Sequence, residues 1–96
     1  MKLDAGSTDV PTAGTRRQIS NTTDRVLWIQ AKANPGNTGN VALGVSDVSM
    51  TNGWTLEKTD TVGLKLDFRG ESIAFSELYV DAATNGDDLD WVVLIE

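Results

Sequence analysis

The chain contains no cysteine and no histidine among its 96 residues. Without cysteine, a disulfide scaffold, a thiolate zinc site, an iron–sulfur cluster and a cysteine nucleophile are excluded. Without histidine, imidazole metal ligands, the Ser-His-Asp triad and the commonest general base of enzymes are excluded as well. A chain of this length also buries one core and leaves little room for a deep cleft. We therefore predict that the protein is not an enzyme and uses no cofactor.

Positive charge and long apolar runs are scarce too. Eight Lys and Arg stand against fourteen Asp and Glu, which gives a net charge of −6. An acidic surface repels phosphate backbones and anionic lipid, so we expect neither nucleic acid nor a membrane as a partner. No run approaches the roughly 18 apolar residues of a membrane span, and no apolar segment of a signal peptide follows Lys2. We expect synthesis in a cytoplasm.

The first fourteen residues are rich in Gly, Ala, Thr and Asp and show no hydrophobic periodicity. Such a stretch buries too little apolar surface to offset the entropy lost on ordering. We therefore predict a flexible N-terminal arm over residues 1–14, which is either a tail without a role or a segment that orders on a partner. A single β domain is predicted over residues 15–96.

Short segments of strand character, separated by turn residues, fill that domain. The Asn-Gly pairs at residues 52–53 and 85–86 favour tight turns, and residues 34–40 are a dense turn signal. No window of eleven or more residues has the apolar spacing of a helix. The pattern predicts an all-β fold, an antiparallel β-sandwich or small barrel of about seven or eight short strands with essentially no helix. The predicted strands are 15–20, 25–33, 41–45, 54–57, 62–68, 78–82 and 89–96, with a shorter extended segment from Ile73.

Two of the predicted strands are apolar on both faces, whereas a strand with one wet face alternates apolar and polar residues. They are 25–33 and 89–96. Either both faces are covered within the chain, or another subunit covers one of them. Because 96 residues rarely build a third layer, we predict the second arrangement. The candidate interface residues are Val26, Trp28, Val92 and Leu94, with Arg16 and Arg17 of the first strand as the next candidates.

The acidic loop at residues 81–90 invites a calcium interpretation, because calcium binds several converging carboxylate oxygens. Ala83 and Val92 stand where the helix-flanked calcium loop requires ligands, and strands rather than helices flank this segment. We therefore predict a solvent-exposed hairpin without a metal ion. Trp28, Trp54 and Tyr79 are candidates for stacking on a sugar or a base, although aromatic residues of small β-proteins more often anchor cores and interfaces.

Four segments combine turn residues with strand edges: Asn21-Thr-Thr-Asp24-Arg-Val-Leu-Trp28-Ile, Asn37-Thr-Gly-Asn40-Val-Ala-Leu-Gly44-Val-Ser-Asp47-Val-Ser49, Thr51-Asn-Gly53 and Leu78-Tyr-Val-Asp81-Ala-Ala-Thr-Asn-Gly-Asp87-Asp-Leu-Asp-Trp91. Their order and spacing resemble the small all-β structural proteins of tailed bacteriophages, which decorate capsids or form fibres and other virion appendages. The resemblance covers about residues 18–96 and rests on structural turns rather than on catalytic residues.

The resemblance implies a virion component, and we expect a capsid decoration (cement) protein. Such a protein stabilises the shell because it binds only the assembled particle, and a homotrimer suits a shell with local threefold symmetry. The expected partners are further copies of the chain and the major capsid protein or another virion protein. A receptor- or carbohydrate-binding module of a phage tail or head fibre is the alternative, and a small hydrolase is a third hypothesis.

Overall fold

The computed structural model describes residues 2–57, 61–65 and 73–96, the middle range by its strand pairing alone. Within these residues the chain forms two antiparallel sheets, which confirms the predicted all-β class. One turn of 3₁₀ helix, Phe75–Glu77, is the helical segment of the described residues. The strands are β1 (Lys2–Val10), β2 (Arg17–Gln18), β3 (Arg25–Ala33), β4 (Val41–Gly44), β5 (Trp54–Leu56), β6 (Thr61–Lys65), β7 (Ile73–Ala74), β8 (Tyr79–Ala82) and β9 (Asp87–Ile95).

The larger sheet has the strand order β1-β9-β3-β6, and β7 pairs with the start of β3. The smaller sheet has the order β2-β8-β4-β5. Strands that are distant in sequence therefore become neighbours, since β9 lies between β1 and β3. The two sheets share one apolar core, to which β9 and β3 contribute from one side and β4 and β8 from the other. Its fully buried side chains include Val10, Ile29, Leu89, Val41 and Val80.

Alternation along β9 sets which side chains enter this core. Leu89, Val93 and Ile95 are buried, and Trp91 packs partly buried against the same cluster. The Trp91 ring meets the Phe75 ring edge-on, with 5.1 Å between the centroids and 87° between the planes. Because side chains of a strand alternate between its faces, the even-numbered residues of β9 point away from the core.

The N-terminal segment is a strand, which corrects the flexible arm predicted for residues 1–14. Lys2–Val10 pairs with β9 along its whole length, from Lys2 opposite Ile95 to Val10 opposite Asp87. The composition did not indicate a strand because only Thr8 and Val10 of this segment are buried. Main-chain pairing holds most of the strand, and such pairing leaves no hydrophobic pattern in the sequence. The β domain therefore begins at residue 2 rather than at residue 15.

Packing at Gly6 adds to this attachment. A Cβ atom at Gly6 would lie 2.7 Å from the Trp91 ring, so the glycine lets β1 pass close to the indole. The indole nitrogen of Trp91 donates to Thr8 Oγ1 at 3.1 Å, and that hydroxyl donates to the Ile19 carbonyl at 3.1 Å. These contacts join β1 to β9 and to the residue that follows β2.

Strand β3 has the predicted bounds but not the predicted faces, because its pairing with β9 shifts register between Val26 and Trp28. Such a β-bulge inserts one extra residue and resets the alternation. Val26 and Ile29, three residues apart, are therefore both fully buried. The placement of Val26 on an outward face is wrong, whereas Trp28 beyond the bulge does face outward.

Other strands differ from their predicted lengths. The first predicted strand, 15–20, is reduced to the two residues of β2. Of the predicted strand 62–68, residues 62–65 belong to β6, and the remainder lies outside the described residues.

Candidate functional site: the outer face of the five-stranded sheet

The outward-facing residues of β1, β9 and β3 form rows across the larger sheet. Strand alternation turns the odd-numbered residues of β1 outward together with the even-numbered residues of β9. In β3 the outward residues after the bulge are Trp28, Gln30 and Lys32. The registers of the two pairings place these residues opposite one another, so the composition of each row follows directly.

The two rows nearest the C-terminal end of β9 are mostly apolar. Leu94 lies between Leu3 on one side and Trp28 on the other. In the next row Val92 lies between Ala5 and Gln30. The side chain of Leu3 is 68 % exposed and that of Val92 is 40 % exposed, while Trp28 and Leu94 are half-buried. Directly opposed side chains on one face of a sheet are close enough to interact, so these rows form one mostly apolar surface, which we call the apolar rows.

The next two rows are polar and charged. Asp90 lies between Ser7 and Lys32, and Asp88 lies opposite Asp9. The Ser7 hydroxyl donates to Asp90 Oδ1 at 2.9 Å. Asp9 accepts an ion-paired hydrogen bond of 2.8 Å from the guanidinium of Arg17, with both side chains about half exposed. The outer face is therefore apolar at one end and charged at the other.

The surroundings of Asp88 on this face make its carboxyl group a weaker acid, with a raised pKa. Burial raises the pKa of Asp88, and the carboxylates of Asp9, Asp90 and Asp87 raise it further. Asp9 is its direct cross-strand neighbour, and like charges directly opposed on a sheet repel. This end of the face therefore concentrates negative charge.

A shallow depression of about 340 Å³ crosses the boundary between the two ends. The residues that line it include Ala5, Gln30, Lys32, Trp91 and Val92. An apolar centre with a polar and charged rim is the usual anatomy of a protein–protein interface. Large exposed apolar patches on soluble proteins mark such surfaces. In composition, this face is therefore similar to surfaces that bind other macromolecules.

The structure brings together three of the four interface residues predicted first. Trp28, Val92 and Leu94 lie in the apolar rows, whereas Val26 lies in the core. Arg16 and Arg17 are exposed at the start of the smaller sheet, and Arg17 is paired with Asp9. Sequence reasoning missed Leu3 and Ala5, because their strand was taken for a flexible arm. The one sequence feature that favours a strand at these residues is the absence of proline before Pro11.

The acidic loop uses two of its carboxylates internally. Asp81 Oδ1 accepts from the backbone nitrogens of Gly14 at 3.0 Å and Ala82 at 2.8 Å. Asp87 accepts from the nitrogens of Thr38 at 3.0 Å and Gly39 at 2.8 Å. Both carboxylates are buried. In the part of the chain that the structure describes, no three acidic side chains converge in a way that could hold a metal ion.

The aromatic candidates for stacking are distributed over both sheets. Trp28 belongs to the apolar rows, Tyr79 of β8 is half-buried, and Trp54 of β5 is 55 % exposed.

No helix within residues 2–57, 61–65 and 73–96 has the length and hydropathy needed to cross a bilayer. Comparison of the chain with protein-family models, with curated proteins and with solved structures finds no match.

Proposed function

We propose that the protein is a non-enzymatic structural component of a bacteriophage virion, a capsid decoration protein made in the host cytoplasm. It associates with copies of itself, as a homotrimer, and binds the major capsid protein or another virion protein. The observation that carries this proposal is the pair of apolar rows on the outer face, joined by the resemblance of residues 18–96 to phage structural proteins.

The energetics of that face support association. Complete burial of an exposed apolar side chain such as Leu3 gains roughly 1.5–3 kcal/mol, before the losses of translational and side-chain freedom are subtracted. Val92, Leu94 and Trp28 gain less than this, because each is already partly covered in the single chain. The charged rows beside them limit which surfaces fit, since an acidic partner would face Asp88 and Asp90. A module that binds only the assembled shell stabilises that shell by its binding free energy.

The alternative function, a receptor- or carbohydrate-binding module of a tail or head fibre, has one observation in its favour. Trp54 presents more than half of its side chain to solvent on β5, and an exposed indole is a stacking surface for a sugar ring. Strand β5 ends at Leu56, and residues 58–60 lie outside the described residues.

Copy number in purified phage particles separates the two functions. A decoration protein should be present in amounts comparable to those of the major capsid protein, because it binds repeated positions on the shell. A fibre or tail module should be present in a handful of copies. Quantified bands of a stained gel give this ratio directly, and absence from purified particles would contradict both functions.

A further inference from the structure

The triplet Thr-Asn-Gly occurs twice in the chain, at residues 51–53 and 84–86, and both asparagines are exposed. We propose that Asn52 is a site of spontaneous deamidation in the folded protein, with water as the co-reactant, and that the fold protects Asn85 from the same reaction. Because the local sequence is the same at both positions, the difference arises from the hydrogen bonds that the fold imposes.

The reaction begins when the backbone nitrogen of the glycine attacks the Cγ atom of the preceding asparagine. A C–N bond forms, the Cγ–Nδ2 bond breaks, and ammonia leaves with the proton lost from the glycine nitrogen. Water then opens the resulting succinimide at either carbonyl, which gives aspartate or isoaspartate. Glycine favours the attack because it has no Cβ atom to obstruct ring closure.

At residues 85–86 the fold engages both reacting groups. The Gly86 nitrogen, which would be the nucleophile, donates a 2.8 Å hydrogen bond to the Val10 carbonyl. The side-chain oxygen of Asn85 accepts a 2.7 Å hydrogen bond from the Ala13 nitrogen. Attack requires the bond of the Gly86 nitrogen to Val10 to break, and the bond accepted by Asn85 Oδ1 restrains rotation of that side chain towards the nitrogen. These two bonds also attach the end of β1 and the loop after it to the β8–β9 turn.

At residues 52–53 the nucleophile is not held. Within the described residues, the Gly53 nitrogen donates no hydrogen bond. The side chain of Asn52 is tethered by its Nδ2 atom, the group that leaves, which donates to the Asp47 carbonyl at 3.2 Å. The backbone of Asn52 pairs with that of Ser49 in both directions, at 2.9 and 3.1 Å, so the backbone of the asparagine is positioned while the residue stays exposed.

Modification at Asn52 has consequences for the β4–β5 connection. Either product adds one negative charge to the net charge of −6, and isoaspartate adds one methylene group to the backbone. Gly53 is closely packed, since a Cβ atom there would lie 2.7 Å from Val48 Cγ2 and 2.9 Å from the Leu43 carbonyl oxygen. A longer backbone at this point displaces that contact and the exposed Trp54 that follows.

Peptide mapping of the intact protein after incubation at mildly alkaline pH tests the proposal. The mass increase of about one dalton should appear in the peptide that contains Asn52 at least about fivefold faster than in the peptide that contains Asn85, the ratio that one hydrogen bond of ordinary strength on the attacking nitrogen produces. In concentrated urea, where both triplets are unfolded, the two rates should agree within about twofold. Asn52→Gln should abolish the fast reaction, and Asn85→Gln should leave it unchanged.

Equal rates in the folded protein, or a faster reaction at Asn85, would overturn the proposal. A preference for Asn52 that persists in urea would overturn it as well, because the fold would not then be its cause. The comparison of the two rates uses the wild-type chain, so it does not depend on whether either variant folds.

Discussion

Single polar residues hold the loops of this small fold in place. The Asn37 side chain donates to the Asp88 carbonyl and accepts from the Asp88 nitrogen, both at 2.8 Å. Together with Asp87, it attaches the turn at residues 34–40 to the start of β9. Buried polar groups are almost always hydrogen-bonded. The buried Asn37 side chain follows this rule, because its nitrogen donates and its oxygen accepts a hydrogen bond.

The substitution Asp87→Asn tests this attachment. The carboxylate accepts one backbone N–H on each oxygen, and an amide places an N–H group against one of those donors. We expect the free energy of unfolding to fall by about 1–3 kcal/mol, measured by chemical denaturation. Asp24→Asn, the same change at an exposed residue, should have little effect. Equal losses in the two variants would contradict the role of Asp87.

The raised pKa of Asp88 makes the stability of the fold depend on pH. Because burial and neighbouring carboxylates raise that pKa in the folded chain, the folded state binds the proton more tightly than the unfolded state does. The contribution of this group to the free energy of unfolding therefore falls as pH rises through the interval between the unfolded and folded pKa values. Asp88→Asn should stabilise the fold by about 0.5 kcal/mol or less above that interval, since much of this charge is solvated.

The advantage of Asp88→Asn should disappear as pH falls below the interval, and added salt should reduce it. Asp47→Asn, which removes the same charge from an exposed loop position, provides the control. Denaturation curves of the three proteins at several pH values measure the effect. A destabilised Asp88→Asn variant at neutral pH would contradict the repulsion between Asp88 and Asp9.

At the scale of the element, the β-bulge in β3 decides which residues form the core. The sequence predicted the bounds of β3 because Val26, Leu27, Trp28 and Ile29 are strong strand formers. It did not predict the faces, because strict alternation was assumed and nothing in the local sequence marks the register shift. The bulge is defined by the pairing with β9, more than sixty residues away in the chain.

A matched pair of Val→Ala substitutions tests the placement of the bulge. Val26→Ala should lower the free energy of unfolding by about 2 kcal/mol, because it removes methyl groups from a fully buried side chain. Val92→Ala, the same change on the outer face, should alter it by no more than about 0.5 kcal/mol. The comparison is made at concentrations low enough to keep the chain monomeric. The reverse order would place Val26 outside and Val92 inside.

Strand β1 shows the other limit of sequence reasoning at this scale. Its apolar content predicted no strand, yet it forms a ladder of nine residue pairs with β9. Backbone hydrogen bonds are available to any non-proline residue, so a strand that hardly contributes to the core leaves no hydrophobic signal. The all-β class and most strand positions could be predicted because those strands do contribute.

At the scale of the whole molecule, the outer face unites residues from three strands that are far apart in sequence. Leu3, Trp28 and Leu94 become neighbours only through the order β1-β9-β3. Trp28, Val92 and Leu94 were predictable from the two-faced pattern of their strands, whereas Leu3 and Ala5 depended on a pairing that the pattern did not reveal. The sequence therefore predicted the residues that β3 and β9 contribute to the candidate site. The residues of β1 became known only from the strand order.

We propose that the chain associates through the apolar rows, and sedimentation analysis of the wild-type chain and its charged variants measures that association. The wild-type chain should sediment as an oligomer, and the doubly substituted Val92→Lys, Leu94→Lys protein should sediment as a monomer with an unchanged β-type circular dichroism spectrum. Leu3→Lys, at a more exposed position, should weaken association and leave the core unchanged. Thr55→Lys, the control on the smaller sheet, should leave association unchanged. A monomeric wild-type chain, or an oligomer that survives the charged substitutions, would contradict the claim.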